Sequence, residues 1–166
     1  MRTIKLEKVT LNIGTGEPGD KLDKVFKLLK SIAGEQPVKT VTQKRIPTWK
    51  IRPGLNIGCK VTLRGEKAKK MLKRLLQAKN NKLSESNFDN DGNFSFGIKE
   101  YLDIPEAKYD ADVGIIGLEA AVTLQRPGFR IKRRMVKTKK IPTKHRITKQ
   151  EAIQFIKTQY ETEVEQ

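Results

Sequence analysis

One cysteine and one histidine are present in 166 residues. Cys59 alone excludes an intrachain disulfide. Cys59 and His145 together fall short of a Cys/His zinc site, so no metal or other cofactor is expected. A single histidine also leaves few candidates for a general base, and no Ser or Cys nucleophile sits in a recognisable motif. Apolar runs are short, and none reaches the length of a membrane span. The opening residues, MRTIKLEKVTLNIG, lack the apolar centre of a signal peptide. These absences give the expectation of a soluble, cytoplasmic protein that is not an enzyme and has no membrane partner.

Acid is missing in a more pointed way. The thirty residues 36–65 hold no Asp or Glu but carry Lys39, Lys44, Arg45, Lys50, Arg52, Lys60 and Arg64, with the only tryptophan, Trp49, among them. Residues 126–149 repeat the pattern with eleven Lys/Arg and no acid. With a net charge of +16, two such stretches point to a polyanion, and nucleic acid is the leading candidate. The charge is uneven, since residues 84–112 hold eight Asp/Glu against Lys99 and Lys108. A basic chain with an acidic patch suggests two partner surfaces.

The apolar residues are few but ordered. Val9, Leu11 and Ile13 alternate with polar neighbours, as in a half-buried strand. After a turn at 14–19, Asp20 is placed to cap a helix carrying Leu22, Val25, Phe26, Leu29 and Ile32 at helical spacing. Residues 38–43 read as a polar strand and 44–56 as a loop with two prolines. In 57–64, Cys59, Val61 and Leu63 face one way and Lys60, Thr62 and Arg64 the other. Gly65 opens a second helix with Ala68, Met71, Leu72, Leu75 and Leu76. Residues 80–92 read as a polar loop, 94–98 as a strand, 99–112 as irregular and 113–125 as a long strand. Thr148 and Glu151 form a capping-box signature, and residues 161–166 are expected to fray.

The order is therefore βαββαββα. It predicts an α+β fold with an antiparallel or mixed sheet and amphipathic helices on one face. The other face would carry Thr10, Asn12, Lys60, Thr62 and Arg64, groups that suit sugar and phosphate oxygens. The competing reading is that these residues only meet water. The chain is read as one domain, 1–166, with a basic arm at 126–147 and a C-terminal helix at 148–160. The arm looks too charged to fold unaided and is expected to be ordered by RNA phosphates.

Three local motifs have bland alternatives. GTGEPG at 14–19 has the G-x-G-x-x-G form, but Glu17 sits where a pyrophosphate would approach and Pro18 removes an amide. A tight strand-to-helix turn explains its glycines. Trp49 either stacks on a base or folds back to anchor its own loop. Asp89, Asp91 and Asp103 could serve a Mg²⁺ nuclease, yet FDNDG reads equally as an Asx-type turn. A small enzyme and a DNA-compacting protein are thus the rivals to an RNA-binding structural protein.

The segments VTLNIGTGE, QPVKTVTQKRIPTWKIRPGLNIGCKVTLRGEKA and FDNDGNFSFGIKEYLDIPE closely resemble the ribosomal protein L-five family of the large subunit. The resemblance runs in order over residues 7–125. The extension RPGFRIKRR resembles the archaeal and eukaryotic branch. The family implies a structural protein that binds 5S rRNA and seats it in the central protuberance. It would also meet large-subunit rRNA, neighbouring central-protuberance proteins and, through ribosomal protein S-thirteen, the small-subunit head. By similarity Asn12 and Thr62 lie on the 5S-binding surface. The expected rRNA-binding set is Thr10, Asn12, Thr40, Thr42, Lys44, Arg45, Lys60, Thr62, Arg64, Arg130, Lys132, Arg133 and Arg134. The loop with Pro47, Trp49, Lys50 and Arg52 resembles the one that reaches the peptidyl-site tRNA. Two departures stand out. Glu35 precedes Gln36-Pro37 where many members have glycine-glutamine before lysine-proline, and Trp49 stands where bacterial members have phenylalanine.

Overall fold

The computed structural model describes residues 1–111 and 113–165. Asp112, the last acid of the 84–112 stretch, and Gln166 of the tail lie outside the described residues. In chain order the elements are β1 (Lys5–Gly14), α1 (Asp20–Ala33), β2 (Val38–Val41), β3 (Asn56–Leu63), α2 (Gly65–Ala78), β4 (Lys82–Ser84), β5 (Phe94–Ile98), β6 (Leu118–Gln125), α3 (Lys149–Tyr160) and β7 (Glu163–Glu165). The main sheet has five strands in the order β2-β3-β1-β6-β5 and is mainly antiparallel. This is the α+β class that the periodicities predict. By internal contacts the chain forms two compact units, one of residues 10–63 and 97–120, the other of residues 1–9, 64–96 and 121 onward.

In the unit of residues 10–63 and 97–120, α1 lies against β3. Its core joins Leu22, Val25, Leu28, Leu29 and Ile32 of α1 with Leu11 and Ile13 of β1 and Cys59, Val61 and Leu63 of β3. Cys59 is therefore the small core residue its register predicts, and burial pushes its thiol up from the usual value. The helix cap differs from the expectation for Asp20. Gly19 occupies the N-cap position and makes no side-chain bond, while Asp20 and Asp23 lie in the first turn, where the helix dipole favours acids. Strand β2 runs antiparallel to β3, with Thr40 opposite Gly58, and the register then shifts to place Val41 opposite Asn56. Glycine is required at 58, because a Cβ there would lie 2.9 Å from both the Ile13 carbonyl and the Thr40 hydroxyl.

The last main-sheet strand is shorter than expected. It begins at Leu118, because the amides of Val113 and Gly114 both donate to the Asp110 carbonyl and turn the chain. Gly117 then passes so close to Ile98 and Lys99 that a Cβ would sit 2.9 Å from each carbonyl.

In the other unit, α2 buries Ala68, Met71, Leu72, Leu75 and Leu76, and α3 buries Ala152 and Ile156. Truncating a fully buried leucine such as Leu75 would cost roughly 2–5 kcal/mol. Phe88, Phe94 and Phe96 stack in sequence, with ring centres 5.0 and 6.3 Å apart. Thr148 and Glu151 form the capping box that the sequence announces.

Two local expectations fail here. Residues 80–92 contain β4, and the tail that should fray instead pairs β7 with β4 in parallel, Leu83 opposite Val164. The basic arm is tied down at its two ends, while residues 130–140 are exposed. Arg126 is buried, and its guanidinium donates to the carbonyls of His145 and Arg146 and, at 2.6 Å, to Glu151. Ile147 is fully buried against Gly92, where a Cβ would meet its side chain at 2.5 Å. Between those ends Arg133 reaches the Glu7 carboxylate, and Arg146 lies 3.7 Å from that of Asp91.

Candidate nucleic-acid interface

Burial alternates along β1 and β3, so each strand has an inward and an outward set. Lys60 and Thr62 are exposed on β3, and Thr10 and Asn12 are half-buried on the outward register of neighbouring β1. Asn12 does not stand alone. Its amide donates to the Glu119 carboxylate at 3.3 Å. This face is thus hydrogen-bonding and cationic, with one exposed carboxylate in it. Sequence reasoning missed Glu119, although its place between the buried Leu118 and Ala120 is enough to aim it outward.

Residues 42–55 form a long hairpin excursion rather than a slack loop. Thr42 and Leu55 are joined by an amide–carbonyl bond of 2.9 Å, and Ile46 and Ile51 exchange bonds of 3.0 and 3.1 Å. The Thr42 hydroxyl donates to the Arg52 carbonyl. Pro47–Trp49 make one 3-10 turn, and Lys50 closes it in a left-handed conformation at φ 54. Ile51 is the buried anchor, whereas Trp49 is 68% exposed. Of the two readings of Trp49, folding back as an anchor is the one the structure rejects. Lys44, Arg45, Pro47, Lys50 and Arg52 are exposed around it, and Thr40 and Thr42 at its base are half-buried. The Ile46/Ile51 bracket was the sequence signal for this geometry.

In the other unit the cations are partly engaged. Glu7 is buried, and Arg64 and Arg133 reach its two carboxylate oxygens at 3.4 and 2.6 Å. Arg133 also donates to the Gln125 side chain at 3.0 Å. Glu7 shares the inward register of Val9, and an acid at an apolar position was the overlooked signal. Arg130, Lys132 and Arg134 are exposed, and Arg134 donates to the Lys137 carbonyl at 2.9 Å. The His145 ring bonds the Pro127 carbonyl at 2.9 Å and meets Phe129 edge-on.

The two chemical distractions resolve locally. In the turn at 14–19, the amides of Thr15 and Gly16 both point at the Ile57 carbonyl, so the glycine loop aims its first donors at the protein. Asp89 accepts from the Asp91 and Asn93 amides and the Asn93 side chain at 2.7–3.0 Å. Its carboxylate is thus committed to an Asx-type turn. Among the described residues no group of three His, Cys, Asp or Glu side chains could hold a metal ion. Nor is any helix of the described residues long and apolar enough to cross a membrane.

What remains is a basic α+β protein that displays cations and hydrogen-bonding groups on a sheet face and a braced hairpin, the class to which structural proteins of the ribosome belong. Comparison with known proteins makes this specific. Residues 1–52 match the ribosomal protein L5 family, and residues 56–155 match the C-terminal part of the same family. The chain is 56% identical over 156 residues to large ribosomal subunit protein uL5 of Nanoarchaeum equitans, covering 93% of this chain and 92% of that one. It is 46% identical to the protein of the same name from Sulfurisphaera tokodaii, covering 96% and 91%. The figure is 44% for that of Methanoregula boonei, covering 99% of each. The chain belongs to the ribosomal protein L5 family. It is a structural, non-enzymatic constituent of the large ribosomal subunit, acting in translation in the cytoplasm.

Proposed function

We propose that the chain binds 5S rRNA through the outward face of β1 and β3 together with the hairpin of residues 42–55, and holds that RNA in the central protuberance against large-subunit rRNA and neighbouring proteins. The carrying observation is that Lys60 and Thr62 stand exposed beside Thr10 and Asn12, with four exposed cations on the adjoining excursion. Lys and Arg supply affinity by releasing counterions, and the hydroxyl and amide groups set orientation on sugar and phosphate. Folded RNA offers shape and 2′-hydroxyls to a broad sheet in a way a DNA groove does not.

In this reading the tip with Pro47, Trp49, Lys50 and Arg52 reaches the peptidyl-site tRNA, and a further surface meets ribosomal protein S-thirteen of the small-subunit head. The braced backbone supports it, because a loop already ordered loses little entropy on binding. Arg64, Arg130, Lys132, Arg133 and Arg134 add contacts from the other unit.

The test is a salt titration of 5S rRNA binding by the wild type and the Lys60→Ala/Thr62→Ala variant, with duplex DNA of equal mass as competitor. The variant should bind more weakly, and the loss of Lys60 should flatten the salt slope by about 0.7–0.9. Equal affinity and slope for both proteins, or no preference for the RNA over the DNA, would overturn the assignment. Crosslinking to total ribosomal RNA should recover peptides from residues 44–64.

A further inference from the structure

The unit of residues 1–9, 64–96 and 121 onward contains a cavity of about 740 Å³. Its lining joins the cations Lys8, Arg64, Arg133, Lys139, Lys140 and Arg146 with the apolar Leu124, Phe129, Ile141 and Ile147. The two lining carboxylates are both opposed by cations. Glu7 is clamped between Arg64 and Arg133, and Asp91 lies 3.7 Å from Arg146. The cavity therefore keeps a strong positive excess. The Glu7 clamp also fixes two guanidiniums whose remaining N–H groups can still donate.

Cations alone would suit any phosphate and need no hollow. Apolar and cationic side chains lining one hollow suit a unit with both a phosphate and a planar, weakly polar body. The volume lies in the range of small-ligand sites and is far too small for a duplex. Single-stranded RNA offers such a unit when a base leaves the stack and lodges against aromatic or apolar side chains. Thr123 and Thr138 also line the cavity; the Thr138 hydroxyl donates to the Arg134 carbonyl, which leaves its oxygen able to accept from a sugar hydroxyl.

We propose that this cavity receives one unpaired nucleotide of ribosomal RNA, with its base against Phe129 and Ile141 and its phosphate on the Arg64, Arg133 and Lys139/Lys140 side. The proposal rests on the reading that the chain binds ribosomal RNA. It adds a second site, in a different unit from the sheet face and hairpin.

The test fills the hollow without touching a charge. Thr123 is half-buried on β6, and Thr123→Phe adds an aromatic ring to the lining. Thr138→Trp, on the exposed arm, is a second plug for which folding is a lesser concern, and circular dichroism checks both. Affinity is measured for 5S rRNA, for large-subunit rRNA and for a fully paired RNA duplex. At least one plugged variant that folds should lose about tenfold or more on one of the two ribosomal RNAs, with duplex binding unchanged. Lys139→Gln/Lys140→Gln should instead flatten the slope. If the folded plugs bind both ribosomal RNAs as the wild type does, or lose duplex binding equally, the nucleotide site is wrong. If the wild type itself prefers neither ribosomal RNA over the duplex, the RNA-binding reading fails and takes the site with it.

Discussion

The two acid-free stretches look alike in sequence and differ in how their central residues are held. In 42–55 the backbone braces itself, Ile51 anchors it, and Lys44, Arg45, Lys50 and Arg52 point outward. In 126–149 several cations are tied to carboxylates outside the stretch, while Arg130, Lys132 and Arg134 stay exposed. Arg126 is buried on Glu151 and two carbonyls, Arg133 reaches Glu7, and Arg146 faces Asp91. A segment without acids is thus not a region without acids, because the fold can import carboxylates from far along the chain. Cations held by backbone scaffolding are presented to a partner, whereas cations held by imported carboxylates are partly spent inside.

This contrast breaks most sharply at Arg126. Replacing it with alanine leaves Glu151 without its cation and uncaps the His145 and Arg146 carbonyls. The variant should lose about 2–4 kcal/mol of stability, because two carbonyls lose their donor, read from the urea midpoint. A loss under 1 kcal/mol would show the arm to be a passive tail after all. The matching cut in the hairpin is Ile51→Ala. Ile51 is 5% exposed, and its truncation should cost roughly 2–4 kcal/mol, because the backbone bracket needs that one apolar foot.

Next in size is Glu151→Gln. Hydrogen bonding to the Thr148 backbone, opposed by burial and helped by Arg126, holds the Glu151 carboxyl below its ordinary 4.5. Its folded-state value is depressed, so its contribution is complete above the unfolded value and is lost as pH falls through the lower, folded one. The substitution should cost about 1 kcal/mol at pH 7. It should also flatten the acid side of the stability curve below pH 4.5. An acid limb identical to the wild type would show that this carboxylate is not coupled to folding.

The sequence disclosed what is periodic and local. Alternation in Cys59–Val61–Leu63, helical spacing in Leu72–Leu75–Leu76, the Thr148/Glu151 box and the Asp89 turn are short-range patterns with one physical solution each. The missed features are long-range. Nothing near Arg133 announces Glu7, and nothing near Lys82 announces the β7 strand that pairs with β4. At the candidate interface the same divide holds. Lys60 and Thr62 are outward by register alone, but the bond between Asn12 and Glu119 depends on strand order. The strand start at Leu118 was misread because 113–117 is apolar enough to continue a strand, while Gly114 and Gly117 meet a turn and a close backbone approach.

The smallest expected effect is also the one that best isolates presentation from construction. Trp49 is the largest side chain of the hairpin and is 68% exposed, on a turn closed by backbone bonds and the left-handed Lys50. A tryptophan that built the loop would cost several kcal/mol when truncated. One that is merely presented should leave stability within about 0.5 kcal/mol. Trp49→Ala should therefore unfold at the wild-type midpoint, unlike Ile51→Ala two residues away. Its effect should appear in RNA binding instead, with a loss of about 1–3 kcal/mol if a base stacks on the indole. A destabilised variant with unchanged RNA affinity would reverse the roles of the two residues and return Trp49 to the loop's own structure.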